Sequence, residues 1–294
     1  MVGGRQGMTG LLSPFVEFEF MRRALVGVIA IAVAGGPIGV FLMLRRMSLT
    51  GDAMAHAILP GAAVGYLVAG LSLPAMALGG LVAGIVVAML AGAVARYTSQ
   101  KEDASLAAFY LISLALGVSI VSLKGSNVDL LHVLFGSILA LDDASLILLA
   151  GVATVTLVTL ALLFRPLVVE CIDPTFLRSV SGAGTPTHLI FLGLVVLNLV
   201  GGFHALGTLL AVGLMMLPAA ASRFWSSDIT LMMLLSVLIG IASGIGGLLL
   251  SFHAELPAGP AVILTAGAVY AASLVFGREG GLLWLAWPGR HLEA

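Results

Sequence analysis

"ALVGVIAIAVAGGPIGVFLML", residues 24 to 44, is an uninterrupted apolar stretch with an arginine on either side of it. A helix needs about 20 apolar residues to cross the hydrocarbon core of a bilayer, so this stretch predicts one membrane crossing. It is longer than the apolar core of a signal peptide and ends in Arg45-Arg46 rather than in a small-residue cleavage site. We therefore interpret it as a retained membrane anchor.

The rest of the chain repeats this pattern. Of its 294 residues, 60% are hydrophobic and 9% are charged, against about 45–50% and about 25% in soluble domains. Further apolar stretches between polar or charged boundaries lie at 49–71, 74–95, 104–123, 144–164, 189–222, 229–252 and 256–276. The stretch 189–222 is too long for one crossing, and Gly201-Gly202 offers a break. The sequence thus predicts an all-α, polytopic membrane protein of one domain (1–294), with nine crossings, or alternatively eight.

Polar segments separate the predicted crossings. Residues 1–23 mix Phe and Leu with Glu and Arg, a composition that suits a helix lying in the headgroup region. Residues 124–143 are apolar only in their middle, too short to span, and fit a re-entrant or surface helix on the outer face. With the N-terminus outside and nine crossings, most Lys and Arg fall on the cytoplasmic side. Segments 165–188 and 278–294 then become a cytoplasmic loop and a cytoplasmic tail.

The loop 165–188 carries helix signals of its own. Asp173 precedes Pro174, which indicates an N-cap followed by proline at the first helical position, and Gly182 or Gly184 supplies a stop. A short helix therefore projects from the membrane, and a partner protein could dock on it.

Composition and missing motifs exclude several classes of function. The net charge is −1 and the cationic residues are scattered, which argues against nucleic-acid binding. The single cysteine, Cys171, excludes an internal disulfide. The G-x-x-x-x-G-K-[ST] phosphate loop, the H-E-x-x-H metalloprotease motif and the G-x-S-x-G nucleophile motif do not occur. The sequence therefore predicts no enzyme, and no ATPase site on this chain.

One candidate site stands out in "SLTGDAMAHAILPG", residues 48 to 61. Asp52 and His56 are spaced i, i+4, which places both side chains on one helix face with Cβ atoms about 5–6 Å apart. A carboxylate and an imidazole can bind one zinc, manganese or ferrous ion, and a carboxylate inside a membrane requires a partner. Pro60 cannot donate to the carbonyl of His56, which predicts another free oxygen near the site.

The spacing alone leaves an alternative open: Asp52 could cap the helix or neutralise Arg45 and Arg46, with His56 as its hydrogen-bond partner. Two ligands also do not complete a site, since zinc takes about four and manganese about six. The others must come from another span, from water or from a second copy of the chain.

The remaining histidines are weaker candidates for metal binding. His204 lies near the Gly-Gly break, and a lone histidine in a membrane more often hydrogen-bonds a neighbouring helix. His253 and Glu255 lie at the outer end of a span and could meet an incoming cation, although an ordinary solvated turn explains them equally. His188 lies at an inner polar end and is assigned no role.

Four blocks of the sequence resemble the metal-cation permeases of ABC importers, which bring zinc, manganese or iron across bacterial inner membranes. They are "RRMSLTGDAMAHAILPGAAVGYLVAG", "NVDLLHVLFGSILAL", "ALGTLLAVGLMMLPAAASRFW" and "LLLSFHAELPAGPAVIL". The resemblance implies that Asp52 and His56 match the family's Asp-x-x-x-His metal motif. Two departures concern metal preference: Glu255, where the family more often has aspartate, and His204, where a glutamine-like residue is expected.

The resemblance also implies partners and a mode of action. Such permeases form dimers, are driven by two copies of a separate cytoplasmic ATPase, and receive metal from an extracytoplasmic binding protein. Residues 170–184 look like the coupling helix that seats in the ATPase, with Glu170, Asp173, Pro174 and Arg178 as its ATPase-coupling residues. No permanently bound cofactor is expected, because the metal is cargo. Asp52 and His56 from both chains would supply two carboxylates and two imidazoles, and this small ligand set favours zinc over manganese or iron.

Overall fold

The structure, a computed structural model, describes residues 13–70, 72–100, 102–123, 141–173, 176 and 184–286. Every regular element in these ranges is a helix. The helices are α1 (Glu19–Leu44), α2 (Thr50–Ala57), α3 (Leu59–Ala69), α4 (Leu73–Tyr97), α5 (Glu102–Leu123), α6 (Asp143–Ile172), α7 (Gly184–Leu206), α8 (Thr208–Ser222), α9 (Ile229–Ala254), α10 (Ala258–Phe276) and α11 (Leu282–Ala286).

Eight segments of the described chain are long and apolar enough to cross a membrane. Helices α2 and α3 together make one of them, residues 50–69, and α8 is shorter than the rest, with 15 residues. At 1.5 Å per residue α8 is about 22 Å long, less than the roughly 30 Å of a bilayer core. The predicted all-α polytopic architecture is therefore confirmed, as eight long segments and one short helix.

The break in the stretch 189–222 lies elsewhere than predicted. Gly201 and Gly202 are inside α7, and the chain breaks at Gly207, where φ is 90°. A residue with a side chain rarely adopts that backbone conformation, whereas glycine does so at little cost. The two earlier glycines serve packing instead, since a Cβ at Gly202 would press on Ala211 of α8.

Helix α6 is longer than the apolar stretch that predicted it. It continues through Arg165 and Pro166 to Ile172, so the predicted loop 165–188 begins only after eight more helical residues. Membrane helices tolerate an internal proline when neighbouring groups satisfy the freed backbone, and Leu167 and Glu170 on this extension are buried.

At the other end, Asp142 caps α6 by accepting a hydrogen bond from the Ser145 amide at 2.9 Å. The hydrogen bonds from Ser145 hold the pKa of the Asp142 carboxyl below its usual value.

The N-terminal segment also differs in its boundary. Residues 13–17 are helical, Phe18 is extended, and α1 begins at Glu19 rather than Ala24. Arg23 lies within α1, 2.8 Å from Glu19 and 3.1 Å from Asp143 at the start of α6. The interfacial position of residues 1–23 stays a prediction.

The predicted tail 278–294 contains α11, and residues 287–294 lie outside the described chain.

Helix α1 lies at the centre of the bundle. It packs against α6, α7, α8 and α9, while α2, α3, α4 and α5 pack on one another and α7 contacts both groups. Ion pairs join α1 to α6 near their first residues, through Arg23 and Asp143, and near their last, through Arg45 and Glu170. The two helices therefore run in the same direction, as the predicted order of crossings requires.

Small residues allow close contact between helices. A Cβ at Gly61 of α3 would overlap the carbonyl oxygen of Gly79 in α4, and a Cβ at Gly79 would overlap the carbonyl of Gly61. The two helix backbones are therefore in direct contact here, a packing that membrane helices favour.

We expect Gly61→Ala to lower the thermal unfolding midpoint of the detergent-solubilised chain by about 5 °C, because overpacking costs about 1–3 kcal/mol. The matched control is Gly92→Ala in α4, where a Cβ meets no atom within 4 Å and the better helix propensity of alanine leaves the midpoint unchanged or slightly higher. Equal midpoints for the two variants would contradict the close contact.

Candidate metal site

The candidate site lies on α2, which a tight turn connects to the end of α1. The amide of Met47 donates to the carbonyl of Leu42 at 2.9 Å, and the amide of Thr50 donates to that of Met47 at 3.1 Å. Arg46 adopts a positive φ of 59° within the turn. Since Met47 and Thr50 are buried, the start of α2 is fixed against the bundle.

Asp52 and His56 project from the same face of α2, as their spacing predicted. Oδ1 of Asp52 lies 3.9 Å from Nε2 of His56. The Asp52 side chain is 67% exposed and that of His56 is 33% exposed. In the single chain the Asp52 carboxylate is therefore mostly exposed and the His56 imidazole is partly exposed.

The rest of the imidazole is held by the protein. Its ring lies 6.1 Å from the ring of Tyr110 in α5, between centroids, with the planes 31° apart. Nδ1 of His56 is buried and has no hydrogen-bond partner among the described residues. Packing rather than a second hydrogen bond thus orients the ring, and Nε2 is the nitrogen nearest Asp52.

The junction between α2 and α3 has a hydrogen bond to another helix. Within the chain, the amide of Ile58 donates to the carbonyl of Met54 at 3.3 Å, and the free His56 carbonyl expected from Pro60 stays a prediction. The carbonyl that gains an outside partner is that of Ala57, which accepts a hydrogen bond from the Ser113 hydroxyl at 2.8 Å. Sequence reasoning missed Tyr110 and Ser113, since nothing in their own neighbourhood points to α2.

The alternative that Asp52 neutralises Arg45 is wrong in this structure. Arg45 is ion-paired with Glu170 at the end of α6, and both side chains are only 6% exposed. Asp52 is also not the N-cap of α2, a position that Leu49 occupies. The N-cap and the neutralisation of Arg45 are therefore excluded for Asp52, while neutralisation of Arg46 stays a prediction.

Of the weaker candidates, His253 and Glu255 do not join this pair. No group of three or more His, Cys, Asp or Glu residues in the described chain is placed to hold a metal ion. His253 lies at the end of α9 with Nδ1 2.9 Å from the Leu249 carbonyl, and Glu255 follows in a left-handed conformation, φ 53°. His204 lies in α7, and its side chain is outside the described part of the structure.

The predicted ATPase-coupling residues lie in different surroundings. Glu170 is a buried residue of α6, not a loop residue, because Arg45 and His188 surround it inside the bundle. Asp173 accepts a hydrogen bond from the Phe176 amide at 2.9 Å, which is the contact an N-cap makes. Pro174 and Arg178 lie outside the described residues.

Comparisons with known proteins agree with this architecture. Residues 17–277 match the ABC 3 transport family. The manganese import system permease protein ScaB of Streptococcus parasanguinis is 32% identical over 270 residues, covering 90% of this chain and 94% of that protein. The manganese transport system membrane protein MntC of Halalkalibacterium halodurans is 27% identical, with 97% of each chain covered.

Solved structures share the fold. A chain of PsaBC from Streptococcus pneumoniae, solved in complex with a Fab, superposes with a TM-score of 0.83 at 27% identity, covering 95% of this chain and all of that one. An inward-facing metal-chelate type ABC transporter has the same fold at a TM-score of 0.67 and 13% identity. This chain is therefore a multi-pass protein of the bacterial inner membrane that belongs to the ABC 3 transport family, as the permease subunit of a metal importer.

Proposed function

We propose that this chain imports manganese into the bacterial cytoplasm, and that Asp52 and His56 bind the ion during its passage. The observation that carries the proposal is the exposed Asp52 carboxylate, 3.9 Å from the His56 imidazole on α2. An ionised side chain in a membrane segment is costly unless it faces protein or a polar path. Cation transport provides such a path.

The ligands of one chain do not satisfy a divalent ion, so we propose that two permease chains share the site. Two carboxylates and two imidazoles supply four ligands for a tetrahedral zinc ion. If both carboxylates bind through two oxygens, the same set supplies six donors, the number that manganese prefers. The 67% exposure of the Asp52 side chain supports such binding.

Manganese is the proposed cargo because the relatives ScaB and MntC are named for manganese import and transport. The zinc that the small ligand set first favoured has no support from these relatives. Since carboxylate and imidazole ligands accept zinc, manganese and ferrous iron, the ligand set by itself does not decide among them.

Alternating access driven by a separate ATPase is the proposed mechanism. An extracytoplasmic binding protein delivers the ion to the outer face, and two cytoplasmic ATPase subunits dock on the segment that follows Asp173. ATP-driven closure switches the site between two permease chains from outward to inward. Binding stays modest so that the ion can leave.

The decisive experiment measures uptake of labelled manganese into proteoliposomes that contain the permease, its ATPase and its binding protein. We expect ATP-dependent uptake that unlabelled manganese suppresses more strongly than zinc or ferrous iron at equal concentration. Stronger suppression by zinc would overturn the assignment of the ion. Uptake that persists without ATP, with no ATPase co-purifying, would instead identify a secondary transporter.

A further inference from the structure

A buried charged cluster joins three helices at the end of the bundle that is predicted to face the cytoplasm. Arg45, directly after α1, is ion-paired with Glu170 in the last turn of α6, and each side chain is 6% exposed. His188, near the start of α7, lies 3.2 Å from Arg45 and 3.6 Å from Glu170, measured from Nδ1. The Arg45 guanidinium also stacks 4.6 Å from the centre of the Phe191 ring.

Stability alone does not explain this cluster. Removing two charges from water is costly, and apolar side chains of similar size usually stabilise a buried position as well or better. A buried ion pair has a property that an apolar contact lacks, because separating its partners leaves each charge buried and uncompensated. Moving the ends of α1 and α6 apart is therefore costly at Arg45 and Glu170.

Each partner of the pair is connected to a different functional segment. On one side, the hydrogen-bonded turn from Arg45 to Thr50 leads directly into α2, which carries Asp52. On the other side, Glu170 lies one helical turn before Asp173, whose side chain caps the segment where the coupling helix is predicted.

We propose that Arg45 and Glu170 are positioning residues that transmit movement of the ATPase-docking segment to α2. When the end of α6 is displaced, the ion pair displaces the turn between α1 and α2, and the metal-binding pair of Asp52 and His56 shifts with it. His188 and Phe191 hold the guanidinium in the one orientation that faces Glu170. This inference rests on the proposed function, because it assigns a coupling role within that transport cycle.

The test replaces both charges at once by apolar residues, Arg45→Met with Glu170→Leu, so that no buried charge is left unpaired. In proteoliposomes with the ATPase and the binding protein, we expect ATP hydrolysis to continue while manganese transported per ATP falls at least about tenfold. The matched control is Arg23→Met with Asp143→Leu, which removes the ion pair at the opposite ends of the same helices. We expect this control to transport as much manganese per ATP as the parent chain.

The inference would be overturned if the Arg45→Met, Glu170→Leu variant transported as much manganese per ATP as the parent chain. It would also be overturned if manganese transported per ATP fell equally in the control. Arg45→Lys gives a second test, because it keeps the charge but cannot contact Glu170 and His188 together through a planar fork. It should lower manganese transported per ATP at least about threefold, and an unchanged value would also overturn the inference. Failure of the parent complex to transport manganese would refute the proposed function instead.

Discussion

We expect Asp52→Ala to lower ATP-driven manganese uptake by the reconstituted importer about 100-fold or more, and His56→Ala to have a similar effect. Even partners that only orient a metal ligand cost about 10–100-fold when they are removed, and these substitutions remove proposed ligands themselves. In a site shared by two chains, each substitution removes two ligand side chains at once. The measurement is the initial rate of labelled manganese uptake at saturating ATP.

The exposure of Asp52 argues against loss of folding as the cause of this effect. Its side chain is 67% exposed, and exposed positions away from caps and buried networks usually change stability by less than about 0.5 kcal/mol. Asp52→Asn sharpens the test, because it keeps the size of the side chain and removes only the charge. We expect this variant to assemble with the ATPase like the parent chain and still to lose uptake.

Two control substitutions locate the effect. Asp103→Ala removes an exposed carboxylate near the start of α5, and His253→Ala removes a histidine whose ring contacts the backbone at the end of α9. Both variants should retain uptake near the parent rate. Parent-like uptake by Asp52→Ala or His56→Ala would refute the assignment, whereas loss in His253→Ala would move a binding step to the end of α9.

Hydropathy predicted the membrane crossings well, because a crossing requires only a local stretch of about 20 apolar residues. It predicted the ends of the helices poorly where a residue on another helix determines them. The apolar stretch before Arg165 ends at a charge, yet α6 continues to Ile172, where Arg45 neutralises Glu170 from another helix. Likewise, composition does not distinguish a glycine that packs, such as Gly202, from one that turns the chain, such as Gly207.

The candidate site could be predicted only in part, for a similar reason. Helical spacing alone places Asp52 beside His56, and the structure has them 3.9 Å apart. The contacts of α2 with Tyr110 and Ser113 depend on how α5 packs, which no local pattern encodes. His188 had no role in the sequence because its partners, Arg45 and Glu170, are contributed by two other helices.

Arg45→Met alone should lower the stability of the chain by about 3–5 kcal/mol, because it leaves Glu170 charged and buried without its partner. At the scale of a domain this size, the loss corresponds to a fall of about 10 °C in the thermal midpoint. Glu170→Leu should cost a similar amount, since it removes the carboxylate that is ion-paired with the buried Arg45 guanidinium.

The double variant, Arg45→Met with Glu170→Leu, should unfold near the parent midpoint, because no charge remains buried and the new side chains pack. The losses of the single variants are then far from additive, which is the signature of a direct interaction. Midpoints are compared in one detergent at one scan rate, since membrane proteins often unfold irreversibly.

Removing Arg23 and Asp143 should cost less than about 1 kcal/mol, because their side chains are 33% and 79% exposed. Additive losses at Arg45 and Glu170 would mean that each charge is stabilised separately, and the two helix ends would then be free to move independently.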